Sequence, residues 1–459
     1  MNLKIDRTKK PQVISEIDFT LPKIERFKLQ NGLDVVYVRK ETLPIMKFIL
    51  LTEAGSKFDP DGKKGLANLF CRALDEGAGK YSSTDLSEEF DLIGSSFGIQ
   101  CHNDDIHITL QTLTDHIDRA LELLTLVLLE PALDEKSFQR EQRKVLTSLR
   151  QLSDSPDEIA DLVFDRKLFN DGNPYSSPVY GFPGDVKNIS LNDIKSFYQE
   201  NINPDNSALV VVGNLPVSSL KEKLNKYFNN WNPGRKASIK INQSKSDQQK
   251  LFIVHKEGSV QSEIRIGHAT ELRTNGDFFE RLILNHILGG QFSSRINLNL
   301  RENKGYSYGA HSSFIYYKSS AGFLVSTSVG SENTGNAIAE IIKEMKEIKN
   351  GIKKEELDFA KSSINLRFPG NFETYGQVAG NLVSLIIHSL PHNYFDSYLS
   401  NLNSKMISDI NETAKKYIHP DNLNIVVVGD KKLILQQLED LGVSEIIELD
   451  IWGNQILQS

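Results

Sequence analysis

The sequence predicts an α+β fold built twice, as two tandem homologous domains that each pack a mostly antiparallel sheet with helices. One observation is a near-repeat. Asn203-Pro204-Asp205-Asn206 runs into Ser207–Gly213 and Asn214, and His419-Pro420-Asp421-Asn422 runs into Leu423–Gly429 and Asp430. The two prolines lie 216 positions apart in a chain of 459 residues, close to half its length. Each copy reads as a Pro-Asp-Asn turn feeding a short β-branched run stopped by Gly, the pattern of a buried strand with its punctuation. Matching order and composition at that offset indicate a tandem duplication. The second observation is that strand patterns come in adjacent pairs with helices interspersed, which favours antiparallel sheets over a doubly wound parallel one.

In chain order, Gly32–Arg39 and Ile45–Thr52 alternate apolar and polar residues and predict neighbouring strands. A helix is expected from Gly65. Another starts near Ser83-Thr84-Asp85, where hydroxyl and carboxylate side chains can cap free backbone N–H groups. Phe97–Cys101 and Ile106–Gln111 read as a hairpin around Asn103-Asp104-Asp105. Helical periodicity covers His116–Leu129, ending before Pro131, and Glu135–Leu152. Apolar residues at helical spacing precede both repeat copies, in Leu191–Tyr198 and Ile407–Tyr417. The polar Pro/Gly/Ser/Gln stretch from Asn232 to Gln249 marks the boundary, giving domains 1–232 and 250–459 joined by a linker over 233–249.

At 39% hydrophobic and 25% charged residues the chain is ordinary globular material, long enough for more than one core. A net charge of -7, with no basic block, argues against nucleic acid or an anionic membrane as partner. Lys353-Lys354 reads as a solvated helix face. No window approaches eighteen unbroken apolar residues, so no membrane span is expected. Two cysteines, Cys71 and Cys101, make no disulfide framework and fit a reducing compartment. The charged start Met1–Asp6 lacks the apolar run of a secretory signal, which points to the cytoplasm; a separate cleaved leader would instead direct the chain to the periplasm.

None of the ten histidines has company at metal-ligand spacing: neither His102 with His107 nor His388 with His392 is joined by a carboxylate or thiol. There is no G-x-S-x-G for a nucleophilic triad, and Gly289-Gly290 is followed by no phosphate-loop Lys-Ser/Thr.

One string does carry a signature. Leu288-Gly289-Gly290-Gln291-Phe292-Ser293-Ser294-Arg295 is followed at once by Leu300-Arg301-Glu302-Asn303-Lys304-Gly305-Tyr306-Ser307-Tyr308. Together with Asn31-Gly32-Leu33, Gly55-Ser56, Asp59-Pro60-Asp61-Gly62, Gly65-Leu66-Ala67 and the segment Pro420–Asp430, in that order, it resembles the pitrilysin/insulinase-type zinc peptidases over nearly the whole chain. The resemblance implies the clam-shell half of that fold. It also implies that Arg301 and Tyr308 clamp a substrate carbonyl, because a fixed cation and a phenol O–H stabilise the oxyanion formed there. Tyr306 is a possible substitute for Tyr308, and Gly289, Gly290, Ser293 and Ser294 would shape the substrate contact.

The family's H-x-x-E-H is not kept. A hydrolytic zinc needs three protein ligands and an open position, but the two His positions fall on Asn68 and Arg72, the base on Cys71 and the distal ligand on Ser148. An Arg guanidinium repels a dication. Glu141 is expected as an exposed helix carboxylate beside Arg140 and Arg143, and Cys71 as a small buried filler. The resemblance therefore implies a non-catalytic subunit with no cofactor of its own. It would lend the Arg301/Tyr308 clamp and half a chamber to a homologous zinc-bearing subunit that cuts peptides or unfolded segments. An inert scaffold of the same fold, and a homodimeric peptide-binding module, are the alternatives.

Overall fold

A computed structural model describes residues 20–456 except 171, 237, 240, 242–248 and 444. The start Met1–Asp6 and much of the expected linker therefore lie outside the described residues. The strands that matter are β1 (Ile24–Lys28), β2 (Asp34–Arg39), β3 (Ile45–Thr52), β4 (Ser96–Cys101), β5 (Ile106–Leu113) and β6 (Ser207–Gly213) in the first half. In the second half they are β7 (Lys250–His255), β8 (Gln261–Ala269), β9 (Ala310–Tyr316), β10 (Ala321–Gly330), β11 (Asn424–Gly429) and β12 (Ile446–Leu449). Five helices are used below: α1 (Leu66–Leu74), α2 (Glu135–Gln151), α3 (Pro156–Phe169), α4 (Phe278–Leu288) and α5 (Tyr375–Ile387).

Each half holds one six-stranded sheet, ordered β1-β2-β6-β3-β5-β4 and β9-β10-β8-β11-β7-β12. Five strands of the first, read from β2 to β4, match five of the second, read from β7 to β9, in order and in direction. One parallel pair (β2 with β6, β7 with β11) is followed in each by three antiparallel pairs. The duplication legible in the repeat is thus a duplication of topology, with the sixth place filled by an N-terminal strand in one half and a C-terminal strand in the other.

The repeated segments are β6 and β11, and both are buried on two faces. Leu209 and Val211 of β6 face the first core, while Val210 and Val212 face the opposite side; Ile425 and Val427 of β11 divide from Val426 and Val428 in the same way. That is why these strands read as unbroken β-branched runs rather than alternating ones. The helix on each outer face comes from the other half. Helix α5 lays Tyr375, Val378, Ala379 and Leu382 on Val36, Val38, Val210 and Val212. Helix α3 lays Ile159, Val163 and Phe164 on Phe252, Val254, Val426 and Val428.

A polar junction adds to this exchange. Asp104, in the β4–β5 turn, accepts from Lys57 Nζ at 2.9 Å, from the Tyr175 hydroxyl at 2.6 Å and from the Lys318 backbone N–H at 2.8 Å. Lys318 Nζ also pairs with Glu53 at 2.6 Å, and Tyr175 stacks on Tyr317.

Candidate functional site

The glycines after α4 position the segment that carries Arg301 and Tyr308. A Cβ on Gly289 would sit 2.4 Å from Ser312 Oγ and 2.7 Å from its backbone nitrogen, so only glycine lets the end of α4 touch β9. Ser312 N–H donates to the Gly289 carbonyl at 3.0 Å, and its hydroxyl to Asn285 Oδ1 at 2.7 Å. Ser294 then opens the next helical turn, Arg295–Asn297, which widens into a π-helical turn over Leu298–Asn303 that carries Arg301. Such π turns concentrate at functional sites.

Three side chains fix this segment from within. Arg295 forks onto Glu356, with both contacts at 2.7 Å. Asn297 donates to Phe292 O and accepts from Ala310 N–H. Ser307 ties the following turn to β10 by donating to Ser328 O at 2.8 Å and meeting Thr327 Oγ1 at 2.8 Å.

These anchors sort the expected site residues by direction. Tyr306 packs against the second core, whereas Tyr308, two positions on, is 92% exposed. No hydrogen bond involves its hydroxyl among the described residues. Arg301 is also on the surface, its guanidinium 4.5 Å above the ring of the exposed Phe292 and 3.4 Å from Glu302. A ring face holds a planar cation without neutralising it. Phe292 is the residue that sequence reasoning missed; its signal was a large aromatic two positions after Gly289-Gly290, between the polar Gln291 and Ser293. Ser293 is exposed and Gly290 half-buried, while Gly289 and Ser294 are buried, which takes those two off any surface a peptide can touch.

The positions at which the resemblance implies lost metal ligands lie in the other half. Asp59 holds the start of α1 by accepting from Gly65 N–H at 2.7 Å and Ala67 N–H at 2.9 Å. Burial nonetheless pushes its carboxyl up to about 7, against the pull of those N–H groups. On α1, Cys71 is buried in the first core, Arg72 is exposed, and Asn68 is half-buried with an Nδ2 that finds no partner among the described residues. Ser148 on α2 is exposed.

The expectation for Glu141 is overturned: it is 3% exposed, accepting from Lys144 at 2.7 Å and Arg140 at 3.4 Å. Residue 141 falls on the buried face of α2 with Ser137, Phe138 and Val145, and the two cations let a carboxylate lie there. Burial opposes its charge, but hydrogen bonds from Lys144, Glu76 and Arg140 prevail and hold it below the ordinary carboxylate range; burial and Glu141 together raise Glu76. No group of three or more His, Cys, Asp or Glu among the described residues is placed to hold a metal. One thiol with an amide, a guanidinium and a distant hydroxyl does not fit a zinc ion.

One cavity, of about 470 Å³, belongs to neither set. It opens at the junction of the halves, between Arg26, Glu53, Asp104 and Lys318 on one side and Leu385 to His392 on the other. Its charges are mostly matched, Arg26 with Asp34 and Lys318 with Glu53, so it reads as a seam rather than a ligand site.

Residues 34–180 match the family model for insulinase-type peptidases of family M16, and residues 188–364 the model described as the peptidase M16 inactive domain. The chain belongs to the M16 family. Its relatives in that family include both kinds of M16 protein. It is 23% identical to a non-peptidase homolog, YmxG, of Helicobacter pylori over 88% of this chain and 93% of that one. It is 26% identical to a zinc protease, PqqE, of the same organism over 86% and 90%. The crystal structure of a peptidase M16 inactive domain from Pseudomonas fluorescens superposes with a TM-score of 0.82 at 22% identity, covering 89% of this chain and 98% of that one. The M16 likeness thus runs through both halves, while the sequence contains no H-x-x-E-H.

Proposed function

We propose that this M16 chain is the non-catalytic member of a two-subunit peptidase, offering Arg301 and Tyr308 to the scissile carbonyl of a peptide bound at the zinc of a homologous subunit. The observation that carries the reading is an asymmetry of exposure. Arg301 and Tyr308 stand outward on a segment braced by Arg295, Asn297 and Ser307, while no described residues retain a metal set. A scaffold gains nothing from an exposed phenol and guanidinium held on a fixed turn, whereas an oxyanion developing in a neighbouring subunit gains two donors. Similarity to both a non-peptidase homolog and a zinc protease of one organism supports pairing of the two kinds. The substrate is an extended peptide or unfolded segment that pairs with a sheet edge of the zinc subunit. No helix of the described residues is long and apolar enough to cross a membrane, and we place the complex in the cytoplasm.

The test is reconstitution with the homologous H-x-x-E-H protein from the same genome. The mixture hydrolyses an unfolded peptide in a chelator-sensitive way, this chain alone does not, and Arg301→Ala or Tyr308→Phe lowers kcat by on the order of 10²–10³ without dissociating the subunits. Full activity of the Arg301→Ala complex would favour the inert-scaffold reading. Robust turnover by this chain alone would refute both.

A further inference from the structure

Cys71 and Cys101 are the chain's only cysteines, and they meet. Cys71 is on α1, where the family resemblance leads one to expect a general base; Cys101 is the last residue of β4. Phe97, Ile99 and Cys101 alternate onto the face of β4 that lines the first core, where α1 packs. Cys71 is buried in that core and Cys101 is half-buried at its rim, on the facing surfaces of α1 and β4 and near enough for each thiol to feel the other. The Cys101 thiol also lies 3.5 Å from the His102 carbonyl. Filling space needs no second sulfur, since Ala, Val or Ser would serve.

We propose that Cys71 and Cys101 are a redox pair that closes reversibly to an intramolecular disulfide by exchange with a low-molecular-weight disulfide. Cys101, the more exposed sulfur, attacks the external disulfide as its thiolate. That S–S bond breaks, one external thiolate leaves and takes up a proton, and a mixed disulfide remains on Cys101. The Cys71 thiolate then attacks the Cys101 sulfur and expels the second external thiol. Two protein thiols have lost two electrons and two protons, and the reagent has gained them as two thiols.

The surroundings set the rate. The neighbouring Cys71 thiol, burial, and the carboxylates of Asp59 and Asp105 hold the Cys101 thiol well above the ordinary range. Little thiolate exists at neutral pH, so closure is slow there and quickens as pH rises. Once formed, the bond ties α1 to β4, which holds Asn68 and Arg72 in place and removes Cys71 as a soft-metal ligand. The proposal needs no partner subunit, so its failure would leave the reconstitution test untouched.

The experiment equilibrates the full-length chain anaerobically at pH 8 in reduced and oxidised glutathione mixtures, quenches with acid, alkylates and maps peptides by mass. The expected result is a loss of two hydrogens, one linked peptide pair joining Cys71 to Cys101, reversal by dithiothreitol, and a melting temperature a few degrees higher when oxidised. Cys71→Ser and Cys101→Ser variants form no bridge. If either variant fails to fold, the wild-type peptide map decides alone. Two freely alkylatable thiols in the most oxidising mixture, or a separate glutathione adduct on each cysteine without a bridge, would overturn the proposal.

Discussion

Replacing Asp104 by alanine removes the acceptor that three groups share at the seam between the halves. Lys57, 2% exposed, would keep only Glu53 at 3.4 Å, and stripping one partner from a buried ion pair costs about 3–5 kcal/mol. The Tyr175 hydroxyl and the Lys318 N–H lose their acceptor as well, at about 1–3 kcal/mol for each group left buried and unpaired. These costs do not simply add, because Asp104 lines the 470 Å³ cavity and water can enter. The expected loss is therefore about 3–4 kcal/mol. Urea unfolding followed by fluorescence measures it, since Trp231 packs in the first core and Trp452 against Phe182. Adding Lys57→Met to Asp104→Ala takes away the stranded charge and should recover about half the loss. A loss under about 1 kcal/mol, or a double variant no more stable than the single, would refute the account of the seam as a desolvated charge hub.

Further outcomes follow from the same geometry. Gly267→Ala places a Cβ 1.9 Å from the Phe323 carbonyl oxygen in the β8–β10 pairing; it should destabilise by about 3 kcal/mol or more, read as a fall in urea midpoint. Arg301→Ala and Tyr308→Phe should each leave the melting temperature of the isolated chain within about a degree, because the first gives up a surface cation–π contact and an exposed ion pair with Glu302, and the second a solvated hydroxyl. Chelators and added zinc should not move that melting temperature either, given residues that do not fit the ion. Asp59 has a folded value of about 7 against an ordinary 3.8, so the folded chain holds its proton more tightly than the unfolded one. Its stabilising contribution is complete below the ordinary value and is lost as pH rises through 7. From pH 8 to pH 5 the wild type should therefore gain roughly 2 kcal/mol relative to Asp59→Asn.

The fold was legible wherever it is local or repeated. The Pro-Asp-Asn turns, the strand Ile45–Thr52 and the tract from Glu135 are found where periodicity put them, because turn chemistry and amphipathic spacing are encoded residue by residue. The exchange of α3 and α5 was not, since nothing in a helix says which sheet it covers. The parallel pairs β2 with β6 and β7 with β11 were missed for a related reason: pairing across long connections leaves no local mark. At the site, Arg301 and Tyr308 came from a motif, but the inward turn of Tyr306 and the burial of Ser294 depend on Ser307 and Asn297 bonding to strands distant in sequence. Glu141 failed as an exposed residue because two cations neutralise it where spacing alone shows only charge.

The swapped helices bear on how this chain can be cut. Without α5 the outer face of the first sheet would show Val36, Val38, Val210 and Val212 to water, and without α3 the second would show Phe252, Val254, Val426 and Val428. Severing the backbone between β6 and β7 should leave two pieces that stay clasped and purify together, while either piece expressed alone should be insoluble. What looks along the sequence like two beads on a string is packed as one body, each sheet roofed by a helix that the other half lends.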